Sequence, residues 1–383
     1  MPKVLDKETV TKLLTLSFAL SYANVVVLLP VIFCSGCGLA SYSLRSINKS
    51  LPISPLPNSK VYSPVQTLAL SPDEKYLIQG QHITAKEGES VSGDILQIWN
   101  IEQKKRTLVS RQRVSANMSA TFSPDGKYVI ACGNAGVIRV KVSDETVEQV
   151  PLEEPQYLSD DGSLVACLTN DGWQILSVDT PTEMIALPEN VDRFLAFSPD
   201  KKYVATTVSK ANTPGTGSTV AIWSLEHESD KQEETTPPLL VREIAIPSYF
   251  PSAEKTRFSP SGRYLALPSR QGGYVGIWDV ETGKMYKELG VHDGSIRTLE
   301  FSQDGKILAV GTQEASGKYG KVYIWNAATG ELLREPINEN QAKGVTAICF
   351  ASDNETIFIG NSSGEIKRKN IKGRDSLFLF LSQ

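Results

Sequence analysis

An all-β fold built from seven copies of one antiparallel unit is the architecture predicted by this sequence of 383 residues. Three observations carry that expectation. A turn between apolar strands keeps returning, as "LALSPDEKYLIQG" from Leu68, "TFSPDGKYVIACG" from Thr121, "LAFSPDKKYVATT" from Leu195, "TRFSPSGRYLALP" from Thr256 and "LEFSQDGKILAVG" from Leu299, with weaker echoes from Gln156 and Ile348. About 20 residues further on, a strand often ends in Ile-Trp and a polar residue. After about residue 34 no stretch shows helical periodicity, whereas strand-forming residues abound.

The chain opens differently. Residues Met1 to Lys12 are polar, and Leu13 to Phe33 follow as 21 residues without a charge, long enough to cross a bilayer. Ser35-Gly36-Cys37 then resembles the end of a bacterial lipobox, with Cys34 where that motif carries an aliphatic residue. Two readings stand side by side: a signal peptide removed ahead of a lipidated Cys37, or a retained transmembrane helix. Both attach the chain to a membrane, and the expected location of the repeats is extracytoplasmic, in the cell envelope or periplasm. The Ser- and Pro-rich stretch that follows reads as a tether. The expected division is therefore 1–36 signal peptide or anchor, 37–64 tether and 65–383 repeats.

Aligned on the residue before each turn, the copies fall at Leu70, Phe122, Leu158, Phe197, Phe258, Phe301 and Phe350. Their spacing, about 47 residues on average, leaves no room for a second domain. The turn chemistry is legible. In Ser123-Pro124-Asp125-Gly126, Ser suits the first position of a type I turn, Pro presets φ at the second and Gly suits the fourth. Ser71-Pro72-Asp73, Ser198-Pro199-Asp200, Ser259-Pro260-Ser261-Gly262 and Asp304-Gly305 repeat it with changes. The strand after each turn, such as Lys127 to Cys132, is apolar on both alternating faces and has to be covered on both sides. The strand-ending tryptophans are Trp99, Trp223, Trp278 and Trp325.

With its "FSPDG" turns and "IWD"-type strand ends in phase, the chain resembles the WD40 repeat family over about five-sixths of its length. That resemblance implies a seven-bladed β-propeller of four-stranded antiparallel blades around a central channel. No blade buries its core alone, so the strands repeat because every blade needs the same two covered faces. Closure of the ring has two candidates, "SKVYS" at Ser59 to Ser63 and "SLFLFLS" at Ser376 to Ser382, and the second, more hydrophobic, is favoured. The family's buried His–Ser/Thr–Asp–Trp network is expected to be mostly absent, since the chain has three His and "GVHDGSI" from Gly290 is the one passage close to its Gly-His start.

The function classes narrow accordingly. A net charge of −4 argues against a nucleic-acid-binding surface, so no nucleic acid partner is expected. No HExxH or Gly-x-Ser-x-Gly motif occurs, and "GTQEASGKY" from Gly311 misses the spacing of a phosphate loop. Cys132, Cys167 and Cys349 lie in apolar strand patterns without metal-ligand spacing. No catalytic, cofactor or metal residue is assigned. The expectation is a membrane-tethered, non-enzymatic scaffold that binds protein partners, with long loops from Gln81, Val208 and Thr312 on one face as its contact surface. The alternative is an enzyme or small-ligand binder using the mouth of the central channel, to be recognised by convergent polar groups with perturbed pKa values.

Overall fold

The computed structural model describes residues 64–380 apart from segments 84–92, 113–118, 134–135, 151, 153, 209–218, 227–237, 248–254, 270–272, 291, 315–318, 340–343 and 374–377. Seven four-stranded antiparallel sheets follow one another along the chain. Blade 1 is β1 (Val65–Leu70), β2 (Tyr76–Ile83), β3 (Gly93–Asn100) and β4 (Lys105–Gln112). Blade 2 is β5 (Ser119–Phe122), β6 (Tyr128–Gly133), β7 (Gly136–Lys141) and β8 (Val147–Val150). Blade 3 is β9 (Pro155–Leu158), β10 (Leu164–Thr169), β11 (Gly172–Ser177) and β12 (Met184–Ala186). Blade 4 is β13 (Val191–Phe197), β14 (Tyr203–Val208), β15 (Thr219–Ser224) and β16 (Leu239–Ala245). Blade 5 is β17 (Arg257–Phe258), β18 (Tyr264–Pro268), β19 (Val275–Asp279) and β20 (Met285–Leu289). Blade 6 is β21 (Ser295–Phe301), β22 (Ile307–Gln313), β23 (Gly320–Asn326) and β24 (Ile337–Glu339). Blade 7 is β25 (Val345–Phe350), β26 (Thr356–Asn361), β27 (Ile366–Asn370) and β28 (Phe378–Phe380).

Each first strand ends at the residue on which the sequence copies align, and each second strand is the doubly apolar one. That second strand lies inside its sheet and must be covered on both faces. The coverage is supplied by neighbours in turn. Among the described residues, seven buried apolar clusters each bridge one pair of consecutive blades. Ile78 and Leu96 meet Phe122 and Val129. Ile130 and Cys132 meet Val165 and Cys167. Trp173 and Ile175 meet Phe194 and Trp223. Val220 and Ile222 meet Leu265 and Trp278. Val275 and Ile277 meet Leu308 and Trp325. Val322 and Ile324 meet Ile357 and Ile359. The seventh cluster joins Leu77 and Trp99 of blade 1 to Ala347, Phe358 and Ile366 of blade 7, which closes the ring into a β-propeller.

Among the described residues, closure uses no exchanged strand. β28, from the C-terminal "SLFLFLS" segment, pairs with β27, so the last blade is completed by its own sequence. The seam is instead held by buried polar side chains. Gln79 Nε2 donates to the carbonyl of Gly364 at 2.8 Å, and Trp99 Nε1 donates to Gln79 Oε1 at 2.8 Å. Gln97 Nε2 donates to Gln81 Oε1 at 3.0 Å. Pairing offsets the cost of burying these groups, although Gln97 Oε1 has no partner among the described residues.

The expected N-terminal helix and tether, and the lipidation candidate Cys37, lie outside the described residues. Among the described residues no helix is long and apolar enough to cross a membrane.

Candidate functional site

The repeated turns are built by their own side chains. Ser123 Oγ donates to Asp125 Oδ1 at 2.7 Å, the same oxygen accepts from the Lys127 amide at 3.0 Å, and Ser123 Oγ accepts from the Tyr128 amide. Ser71 with Asp73, Ser198 with Asp200 and Ser302 with Asp304 repeat the pattern. The Ser123 hydroxyl, then the Lys127 amide, hold the Asp125 carboxyl down at about 2. In blade 5, where Ser261 replaces Asp, a Ser259–Ser261 hydroxyl contact at 3.1 Å takes its place. The fourth turn position is left-handed in every blade. Gly126, Gly162, Gly262 and Gly305 fill it in four blades, and Glu74, Lys201 and Asn354 fill it at φ between 55° and 61° in the others. Pro72, Pro124, Pro199 and Pro260 hold the second position, and blade 3 has Asp160 there.

The tryptophans sit at one register position. Trp99, Trp223, Trp278 and Trp325 face Leu77, Val204, Leu265 and Leu308 of the preceding strands, and Val140, Leu176 and Lys369 hold that place in blades 2, 3 and 7. Their indole partners vary. Trp223 Nε1 donates to Thr206 Oγ1 at 2.8 Å, and Trp325 Nε1 donates to His292 Nε2 at 2.9 Å. His292 also bonds the Gly273 carbonyl through Nδ1, and burial pushes its pKa down to about 4, so the ring is neutral. Of the expected network, a direct Trp–His bond is present at His292 and a Thr–Trp pair at Thr206, while Gln79 serves Trp99 in blade 1.

One mouth of the channel gathers charge. The residue before the end of the innermost strand is Thr121 in blade 2, Arg257 in blade 5, Glu300 in blade 6 and Cys349 in blade 7. Arg257 Nε lies 3.5 Å from Glu300 Oε2. Asp160, on the turn of blade 3, has its carbonyl bonded by the Thr121 hydroxyl at 2.7 Å. The Arg257 and Glu300 side chains are 47% and 33% exposed and Asp160 is exposed, so water screens the charges here. Desolvation raises the Glu300 carboxyl, with Arg257 opposing. The thiols are inert: burial pushes Cys132 and Cys167 up to about 12. Among the described residues no group of three His, Cys, Asp or Glu is placed to hold a metal ion.

The outer rim shows a second feature. Met184, Leu240 and Met285 stand opposite Leu176, Trp223 and Trp278, so they lie at one height in blades 3, 4 and 5. All three are exposed, as are their neighbours Leu239, Val241 and Tyr286, with Leu239 open at 69%. Outward-facing strands of soluble monomers are usually polar, and a run of apolar residues on adjacent blades is the exception.

Several expectations fall elsewhere. The inner parts of the three long loops lie outside the described residues. The basic stretch "KRKNIKGR" forms much of β27 and the turn after it, with Arg368 lying 5.9 Å from the centre of the Phe358 ring.

Comparison with known proteins agrees with this geometry. The family model "WD domain, G-beta repeat" matches residues 283–326, which run from the end of β19 through β23. A periodic tryptophan protein 2 homolog of Schizosaccharomyces pombe is 23% identical over 128 residues, covering 32% of this chain and 14% of that protein. Protein hir-1 of Neurospora crassa is 28% identical over 189 residues, covering 42% and 17%. A U3 small nucleolar RNA-associated protein 18 homolog of Arabidopsis thaliana is 28% identical over 151 residues, covering 37% and 25%. The chain spans a quarter or less of the length of these relatives. All three are eukaryotic, and one is named for a nucleolar RNA. These relatives give no support to the expected bacterial type, and they overturn the expected membrane-attached, extracytoplasmic location. Both expectations had rested on the hydropathy of Leu13 to Phe33 and on Ser35-Gly36-Cys37, a local composition signal independent of the repeats.

Proposed function

We propose that this propeller is a non-enzymatic platform for protein partners and that the outer rim of blades 3 to 5 is where a partner rests. The observation that carries the reading is the run of exposed apolar side chains from Met184 through Leu239–Val241 to Met285 and Tyr286. The blade 4 and blade 5 parts of the rim meet. Gly283 on the β19–β20 turn lies against Arg242 of β16, so close that a Cβ there would stand 3.3 Å from Arg242 Cδ. Tyr286 packs on Tyr264 with ring centroids 4.8 Å apart. An exposed apolar surface that includes Tyr286, Met184 and Met285, with Arg242, Glu243 and Lys287 beside it, has the composition of a protein contact. The match of residues 283–326 to a WD repeat model supports the same class.

The test is affinity capture with the intact protein and with Leu240→Glu and Met285→Glu. Loss of a stoichiometric protein partner in the variants, with unchanged melting, supports the rim; equal capture by all three proteins contradicts it. A small-ligand site at the channel mouth is the second reading, favoured by the Arg257–Glu300 ion pair at 3.5 Å on the innermost strands. Thermal-shift screening of small molecules against the intact protein and Glu300→Gln addresses it.

A further inference from the structure

The seam between blades 7 and 1 departs from the packing used by most of the ring. In five blades the first strand ends in a phenylalanine, Phe122, Phe197, Phe258, Phe301 or Phe350, that packs against the preceding blade. Blade 1 ends that strand in Leu70. On the third strand, Ile98, Ile175, Ile222, Ile277 and Ile324 share one register position and pack towards the following blade. Blade 7 places Arg368 there, across from Phe358. Both changes fall on the same seam, and a cavity of about 360 Å³ lies there. The seam between blades 2 and 3 carries the same pair of changes, Leu158 and Arg139, but closes them differently. Arg139 donates to Asp179 of blade 3 and lies 3.9 Å from Glu148, its partner on β8, whereas the residue paired with Arg368 on β28 is Phe378.

We propose that the cavity between blades 7 and 1 is a binding site for a small organic acid, its apolar body against Leu70, Ile101, Ala351 and Phe358 and its carboxylate on Arg368. The lining fits such a molecule at both ends. Phe358 and Ala351 are buried and Leu70 and Ile101 half-buried, which gives an apolar floor. Arg368 is half-buried over that floor, its guanidinium 5.9 Å from the centre of the Phe358 ring. A guanidinium lying over a ring still offers its in-plane N–H donors to a carboxylate, and the pairing is strongest where water is partly excluded. A cavity of this size is in the range of small-ligand sites.

The charged rim sets the terms of binding. Lys75 and Lys104 stand on it as exposed cations, Lys75 beside Asp73 at 3.2 Å. Of the two carboxylates there, Glu74 accepts from the Ser352 amide. The other, Glu102, lies three residues beyond Trp99, just as Asp179 lies three beyond Leu176 in the same register position. Glu102 therefore holds in blade 1 the place from which Asp179 of blade 3 reaches Arg139, and it competes with an incoming acid for Arg368. The site belongs neither to the exposed rim of blades 3 to 5 nor to the channel mouth.

The experiment titrates phenylbutyrate, its neutral amide and plain butyrate into the intact protein by calorimetry, and repeats the titrations with Leu70→Phe, Arg368→Ile and Glu102→Gln. The first two variants put in the residue that most other blades use, so one fills the cavity and the other removes its half-buried cation. The site requires saturable binding of phenylbutyrate by the intact protein. It requires binding weaker by about tenfold or more for the amide, for butyrate, and for the acid in Leu70→Phe and Arg368→Ile. Glu102→Gln should bind the acid more tightly and the amide equally. Absence of saturable binding by the intact protein, equal affinity for acid and amide, or undiminished binding in both Leu70→Phe and Arg368→Ile overturns the site. Should those variants fail to fold, the ratio of acid to amide affinity in the intact protein and its increase in Glu102→Gln decide alone.

Discussion

Trp325 in blade 6 donates its indole N–H to His292 at 2.9 Å, and His292 passes the connection on to the backbone of Gly273 in blade 5. One imidazole therefore ties a blade's tryptophan to the loop between two strands of the preceding blade. His292 is 2% exposed, and burial depresses its pKa to about 4, below the 6.5 of an unfolded chain. Between those values the unfolded chain holds a proton that the folded one excludes, so stability rises with pH across that window. The span corresponds to about 3 kcal/mol at most. His292→Gln, followed by urea unfolding from pH 4 to 6.5, is expected to lower stability at neutral pH and to flatten this rise. An unchanged slope would remove His292 as its source.

The seam depends on Gln79, which receives the Trp99 indole and donates to Gly364. Gln79→Leu removes the 2.8 Å acceptor of the Trp99 indole and the shorter of two donors to the Gly364 carbonyl, which keeps Gln81 Nε2 at 3.4 Å. The expected loss is about 1–3 kcal/mol, read as a lower urea midpoint. A loss below about 0.5 kcal/mol would mean that water or backbone already satisfies both groups.

The turn glycines differ in a way that can be ranked. Gly126 and Gly162 have φ of +69° and +71°. An added Cβ at Gly126 would meet Pro72 Cδ at an ordinary 3.5 Å, whereas at Gly162 it would lie 2.7 Å from Ile130 Cδ1. Gly126→Ala is expected to cost about 1–2 kcal/mol from the backbone alone. Gly162→Ala should cost more, because the neighbouring blade must also yield. Melting of the two variants side by side gives the order.

The rim substitutions carry the opposite expectation for stability. Leu240 is 41% exposed, so Leu240→Glu should change unfolding free energy by no more than about 0.5 kcal/mol while removing partner capture. A large destabilisation would mark the rim as core.

The sequence displayed the frame because the frame is periodic. Ser, Pro, Asp and Gly at fixed offsets, and strands apolar on both faces, follow from turn geometry and double coverage, and each recurs often enough to be seen. The elements that distinguish one blade from another were harder to read. Gln79 and Thr206 occupy the same column of the repeat and take up the work of a missing histidine, but a single polar residue in an apolar strand does not announce its partner. Asp160, Arg257 and Glu300 are each one departure in one copy. Arg257 and Glu300 stand out when the column before Phe258 and Phe301 is aligned, whereas Asp160 belongs to another column, the second turn position, where other blades mostly carry proline. The hydrophobic run from Leu13 to Phe33 drew attention by composition and led to a location that the relatives do not share.

Ring closure is the claim on which the rest depends, and it can be tested with one pair of positions. The Glu74 carboxylate accepts from the Ser352 amide although 278 residues separate them. Glu74→Cys combined with Ser352→Cys, treated with a short thiol crosslinker in the native state, should give an intramolecular link that shifts electrophoretic mobility. A folded double variant that never forms this link would show blades 1 and 7 apart, and the molecule would be an open array.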